Sequence, residues 1–109
     1  MYLNNLFNLK GKVAVVIGGG GYLCSEMSIG LAKAGCKLAI LDLRLKKAKK
    51  VCNEIILEGC SETIALSIDV SNKESHESAL KYIVKKFGRV DILINGAGIN
   101  GSSPFLEID

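Results

Sequence analysis

Four apolar runs punctuate the chain: Val13 to Ile17, Leu38 to Leu41, Ile64 to Ile68, and Ile92 to Ile94. Each is too short for a helix, and each is continuous or nearly so instead of alternating with polar residues. Runs of that kind mark strands buried on both faces, the habit of a parallel sheet. The segments between them have helical spacing. The first follows a glycine run and puts Leu23, Met27, Leu31 and Ala34 on one stripe, with Gly35 placed for a left-handed C-terminal cap. The second runs from about Arg44 to Glu58, with Leu45, Ala48, Cys52 and Ile55 inward, its lysines outward and Gly59 at its end. The third opens on a capping box, Ser71-Asn72-Lys73-Glu74, in which Ser71 accepts from an orphan amide and Glu74 reaches back. It carries Leu80, Ile83, Val84 and Phe87 on its apolar stripe and stops at Gly88. The order β-α-β-α-β-α-β, joined by right-handed crossovers, predicts an α/β protein with a doubly wound parallel sheet. The stretch from Ile99 to Asp109, with Gly101, Ser102, Ser103 and Pro104, reads as loop.

Composition narrows the class. The chain has 109 residues, room for one domain, and its 49% apolar content with one proline excludes a disordered segment. The net charge of +3 comes largely from Arg44, Lys46, Lys47, Lys49 and Lys50. That cluster reads as a solvated helix face, so no nucleic-acid partner is expected. Cys24, Cys36, Cys52 and Cys60 form no C-x-x-C pair and have no nearby histidine, which argues against a zinc site. Met1 to Asn5 show no export signal, so reduced thiols and a cytoplasmic location are expected. No apolar run is long enough for a bilayer, and no membrane partner is expected.

The candidate chemistry lies at the strand ends. Gly18-Gly19-Gly20-Gly21 follows the first strand and opens the first helix. A backbone without side chains there lets a pyrophosphate approach, and the helix N-terminus offers it free amides and partial positive charge. Asp42 ends the second strand roughly 20 residues on, where an acid accepts from both hydroxyls of an adenosine ribose. A carboxylate in that place repels a 2′-phosphate, so NAD is expected over NADP, with Arg44 blunting the preference. Asp69-Val70 ends the third strand and Asn95-Gly96-Ala97-Gly98 the fourth. All four ends meet at one edge of a parallel sheet, the edge at which such sheets bind ligands.

From Leu9-Lys10-Gly11-Lys12 through Asn95-Gly96-Ala97-Gly98 the chain resembles the N-terminal part of a short-chain dehydrogenase/reductase. The resemblance implies an incomplete Rossmann-type sheet of strand order 3-2-1-4. It implies that Asp69 bonds the adenine amino group and the Val70 amide a ring nitrogen. Gly96, Ala97 and Gly98 would line the adenosine ribose, and Asn95 would tie the central strands together. The family's Thr-Gly-x-x-x-Gly-x-Gly meets Ile17, Tyr22 and Cys24 where Thr and the second and third glycines belong. Cys24 would hold the helix off the strand. Four glycines followed by Tyr22 and Leu23 resemble the branch that oxidises sugar acids such as D-mannonate, and these two residues join the expected cofactor site. The implied activity is hydride transfer between a nicotinamide and an alcohol or sugar-acid hydroxyl.

The family's catalytic serine, tyrosine and lysine lie beyond the Asn-x-Ala-Gly element. Residues 1–109 are thus expected to form the front of a dinucleotide-binding domain, ending before the catalytic half, with no catalytic residue. Tyr82 and Lys86 match Tyr-x-x-x-Lys. They fall late on the third helix, which returns to the edge away from the cofactor, so the match is read as chance. His76 shares the apolar stripe of that helix and reads as a boundary histidine with a satisfied ring. Two other classes compete: a non-catalytic nucleotide-binding module, and an S-adenosylmethionine-dependent methyltransferase, against which Asp69-Val70 and Asn95 to Gly98 argue. A fourth strand left on an unpaired apolar edge predicts a homo-oligomer, an aggregate or a marginal fold.

Overall fold

The computed structural model describes residues 9–18, 21–58 and 62–96. Among them the chain runs β1 (Val13–Ile17), α1 (Tyr22–Lys33), β2 (Lys37–Asp42), α2 (Leu45–Leu57), β3 (Thr63–Ser67), α3 (Lys73–Phe87) and β4 (Ile92–Asn95). The four strands form one sheet of order β3-β2-β1-β4 with every neighbouring pair parallel. The expected α/β Rossmann-type architecture and strand order are both present. All four apolar runs are strands, with bounds shifted by one residue at most.

Two apolar layers explain the continuous runs. Ala14, Val16, Leu38 and Ile40 face one way, against α1 and α2 through Cys24, Ala32, Ala48, Val51 and Ile55. Val13, Val15, Ile17, Ala39 and Leu41 face the other way, against α3 through Ala79 and Ile83. Every residue of β1 is therefore buried. At the start of the sheet the Val13 amide donates to Asp91 Oδ2 at 2.9 Å and the Asp91 amide donates to the Val13 carbonyl at 2.9 Å. Arg89 clamps the other carboxylate oxygen through its Nε at 2.9 Å and a second guanidinium nitrogen at 2.6 Å. The amide and the guanidinium hold the Asp91 carboxyl below its usual range.

Three helix readings need correction. The buried face of α1 is Cys24, Ser28 and Ala32, while Leu23 and Met27 are exposed. Small side chains four apart let the helix lie close to the sheet, and the Ser28 hydroxyl meets its own need by donating to the Cys24 carbonyl at 2.8 Å. On α2 the inward set is Ala48, Val51, Cys52 and Ile55, and Leu45 is exposed. On α3 the inward residues are Ala79 and Ile83, with Leu80 and Val84 exposed. Its N-cap is Asn72 and not Ser71: Asn72 Oδ1 accepts from the amides of Glu74 at 2.9 Å and Ser75 at 3.2 Å. Ser71 is occupied elsewhere, its amide and hydroxyl both donating to Asp69 Oδ1. Gly35 and Gly88 take the expected left-handed conformation beyond the ends of α1 and α3. Gly59 lies outside the described residues, as do Cys60 and the stretch from Ile99 to Asp109.

Candidate functional site

Because all four strands are parallel, their C-terminal ends share one edge, and each end is stitched to its neighbour one residue past the strand. The Gly18 amide donates to the Leu41 carbonyl at 2.7 Å, the Ile68 amide to the Asp42 carbonyl at 3.1 Å, and the Gly96 amide to the Ile17 carbonyl at 2.8 Å. A hollow of about 280 Å³ opens along this edge, lined by Gly18, Gly21, Asp42, Leu43, Lys47, Ile68, Val70 and Gly96. Residues from all four strand ends meet in it.

Its floor is backbone. Gly18 turns the chain out of β1 at φ +77°, a left-handed conformation that a side chain disfavours. Gly21 is the N-cap of α1 and supplies no side-chain cap. No side chain therefore competes with an anionic guest for the N-terminal end of α1 at this position. Beside it, Gly96 leaves no room for a side chain unless Cys24 or its helix shifts, since a Cβ there would run into Cys24 Sγ. This contact explains how Cys24 is accommodated: α1 keeps its close approach because the sulfur occupies space that only a glycine at position 96 leaves open. Burial pushes the Cys24 thiol up from its ordinary value, and the nearby Asp42 charge adds to the shift, so this thiol stays protonated and inert.

Asp42 ends β2 with its carboxylate at the rim, where Oδ1 accepts from the Arg44 amide at 3.0 Å. That turn fixes the direction of the carboxylate and makes Arg44 the N-cap residue of α2. Leu43, Ile68 and Val70 give the same part of the hollow an apolar wall, with Leu43 67% and Val70 51% exposed. Large apolar side chains left this open beside a carboxylate suit a planar heterocycle whose attached sugar carries hydroxyls.

Five of the expected site residues thus line the hollow: Gly18, Gly21, Asp42, Val70 and Gly96. Tyr22, Leu23, Arg44, Asp69 and Asn95 are not among its lining residues, although Asn95 stands in register with Ile17 at the same edge. Tyr22 is 82% exposed. Asp69 plays a local part, since its Oδ1 takes both Ser71 donors, chiefly the hydroxyl, and these hold its carboxyl below the usual range. Gly19, Gly20, Ala97 and Gly98 lie outside the described residues. Leu43, Lys47 and Ile68 line the hollow without having been expected from the sequence. Leu43 offered a signal, being an apolar residue placed just outside a strand end.

The two decoys resolve on position. His76 Nε2 shares a hydrogen bond with the Val70 carbonyl at 3.0 Å, the satisfied ring expected of a boundary histidine. The C-terminal end of α3 lies at the far edge of the sheet, where the Lys37 ammonium at the start of β2 stands 6.0 Å from the Phe87 ring centroid. Tyr82 and Lys86 are exposed on that distant part of the helix. Among the described residues no group of three metal-binding side chains occurs and no helix is long and apolar enough to cross a membrane.

A parallel sheet of this order with helices on both faces defines a Rossmann-type α/β protein. The chain belongs to the short chain dehydrogenase family, whose pattern matches residues 12–109. It is 42% identical over 102 residues to an uncharacterised oxidoreductase, UxuB, of Bacillus subtilis, covering 94% of this chain and 36% of the relative. It is 37% identical over 95 residues to a 2-dehydro-3-deoxy-D-gluconate 5-dehydrogenase of Dickeya dadantii, covering 87% and 36%. A solved Haemophilus influenzae structure, provisionally assigned as a D-mannonate oxidoreductase and carrying NAD, superposes with a TM-score of 0.75 at 33% identity, covering 84% of this chain and 32% of that one. The chain spans about a third of the length of the relatives it matches.

Proposed function

We propose that this chain forms the adenosine-diphosphate-binding part of an NAD-dependent oxidoreductase acting on an alcohol or sugar-acid hydroxyl, such as that of D-mannonate. The observation that carries the reading is the single hollow shared by Gly18, Gly21, Asp42, Val70 and Gly96. Its parts match the parts of the ligand. The uncapped opening of α1 and the bare backbone at Gly18 and Gly21 receive the pyrophosphate. Asp42, held by the Arg44 amide, accepts from the ribose hydroxyls. Leu43, Ile68 and Val70 shield the adenine faces, while Asp69 shapes the turn that presents Val70. When bound, the nicotinamide supplies hydride transfer to or from a substrate carbon.

Tyr22, Leu23, Gly19, Gly20, Asn95, Ala97 and Gly98 complete the proposed cofactor surround, with Arg44 at its border. NAD is preferred to NADP because a carboxylate at the ribose rim opposes a second anion there. The NAD in the D-mannonate-type relative supports that preference. The sugar-acid substrate rests on the names of the relatives, and residues 1–109 are the front of the domain, with the proton-transferring groups elsewhere.

Titration of the purified chain into NADH tests the reading. Enhanced nicotinamide or transferred fluorescence is expected, with binding weakened about ten- to a hundredfold in D42A, since a bond to a charged acceptor contributes about 1.5–3 kcal/mol. Absence of binding up to millimolar NADH would reject it. Adding D-mannonate and NAD should give no turnover by this chain, and turnover would overturn the assignment of catalysis to other segments.

A further inference from the structure

Along the turn from β3 into α3 every backbone donor but one is bonded. The Ile68 amide donates to the Asp42 carbonyl at 3.1 Å and the Asp69 amide to Ser75 Oγ at 2.9 Å. The Ser71 amide donates to Asp69 Oδ1 at 3.0 Å and the Asn72 amide to the Asp69 carbonyl at 3.0 Å. The Val70 amide, between them, has no partner among the described residues. Of residues 69–72, Val70 is also the one that lines the hollow. The first turn of α3 braces this segment. His76 Nε2 stands 3.0 Å from the Val70 carbonyl. A carbonyl only accepts, so the ring carries a proton on Nε2 and donates it to that bond. The ring is half-buried and borders the apolar groove with Ala79 and Leu80, so packing holds it in place as well.

We propose that His76 is a positioning residue of the nucleotide site, holding the Val70 peptide so that its open amide meets a ring nitrogen of the bound base. The inference rests on the reading of the hollow as an adenosine site. Each peptide unit is planar, so fixing the units on either side of a residue fixes both of its dihedrals. The Asn72 amide anchors the unit before Val70 through the Asp69 carbonyl, and His76 anchors the unit after it. A donor already held in place loses less freedom when a ligand binds, which strengthens its bond to the base. His76 acts through Val70 and not on the ligand, and its committed Nε2 proton gives it no part in acid–base chemistry.

The test measures the dissociation constant of adenosine 5′-diphosphate for the chain and for its H76F, H76A and H76Q variants, with backbone amide shifts followed in each titration. H76F keeps an apolar ring beside the groove and removes the donor, H76A removes the donor without adding volume, and H76Q restores a donor at similar reach. H76F and H76A should each weaken binding about fivefold, the scale of one neutral hydrogen bond. The loss should be local: at saturation the Val70 amide should shift clearly less than in the wild type, while Gly18 and Gly21 shift as before. H76Q should recover both the affinity and the Val70 shift, which a purely space-filling role for the histidine does not predict. Wild-type binding with unchanged affinity in H76F and H76A would overturn the inference and leave the site reading intact. A loss that H76Q fails to restore, or one spread equally over Gly18, Gly21 and Val70, would do the same. Absence of diphosphate binding by the wild type would overturn both.

Discussion

Cys24 and Gly96 are a matched pair at the heart of the site, one filling the space that the other leaves. Adding a Cβ at position 96 forces the Cys24 sulfur or the backbone of α1 to move. G96A should destabilise the chain by about 2 kcal/mol, the cost of an overpacked core, and C24A should relieve about half of it or more. Denaturant unfolding of the four variants gives the coupling, and additive effects would contradict the pairing. Charge at this scale also makes stability depend on acid. Asp91 is held down by the Val13 amide and Arg89, and Asp69 by Ser71. A depressed carboxylate contributes stability above its unfolded pKa of about 4, and that contribution is lost as the pH falls through the lower folded value. Melting temperature in D91N should accordingly be lower than wild type at pH 6 and fall less as the pH drops below about 4. Equal acid slopes in the two proteins would rule this out. Lys47 shows what single-residue reading misses: a charge run on an exposed helix looks uniform, and only the phase of the helix against β2 singles out the lysine that meets the hollow.

At the scale of elements, the strands were legible and the helix faces less so. A strand buried on both sides must be apolar at every position, as in Val13 to Ile17, so its outline survives in the sequence. The inward face of α1 is built from Cys24, Ser28 and Ala32, which carry less apolar bulk than the exposed Leu23 and Met27. Seeking the largest apolar residues therefore picks the wrong stripe; close packing, not bulk, decides which side faces the sheet. The α3 start misleads for a related reason, because Ser71 and Asn72 are both good caps and only the demand of Asp69 on Ser71 leaves the role to Asn72. N72A should cost about 1 kcal/mol and S71A should spare the cap. Urea unfolding distinguishes them, and the reverse order would restore the Ser71 capping box. The strand-end residues of the site were readable because the fold gathers them at one edge, whereas the contributions of Leu43 and Ile68 depend on how far each strand end projects.

For the whole molecule, the two faces of the sheet are unequally covered. Two helices pack on one face, and α3 alone covers the other among the described residues. Beside α3 an apolar groove of about 160 Å³ runs along Val15, Ile17, Leu80, Ile83, Val90 and Leu93. Leu93, on edge strand β4, is 64% exposed. An apolar groove next to a strand edge that no other described strand pairs invites association. Sedimentation of the 109-residue chain should reveal dimers or larger species that dissociate in L93K. A monomer at concentrations of about 100 μM, a range in which exposed strand edges associate, would contradict it.

The central claim is that a nucleotide lies in the hollow at the C-terminal edge of the sheet, and amide chemical-shift mapping during NAD titration reads that location directly. The amides of Gly18, Gly21, Leu43, Val70 and Gly96 should shift together in one saturable step, while those of Lys37, Tyr82 and Lys86 at the far edge stay fixed. Shifts gathered along the groove beside α3, or none at saturating NAD, would contradict it.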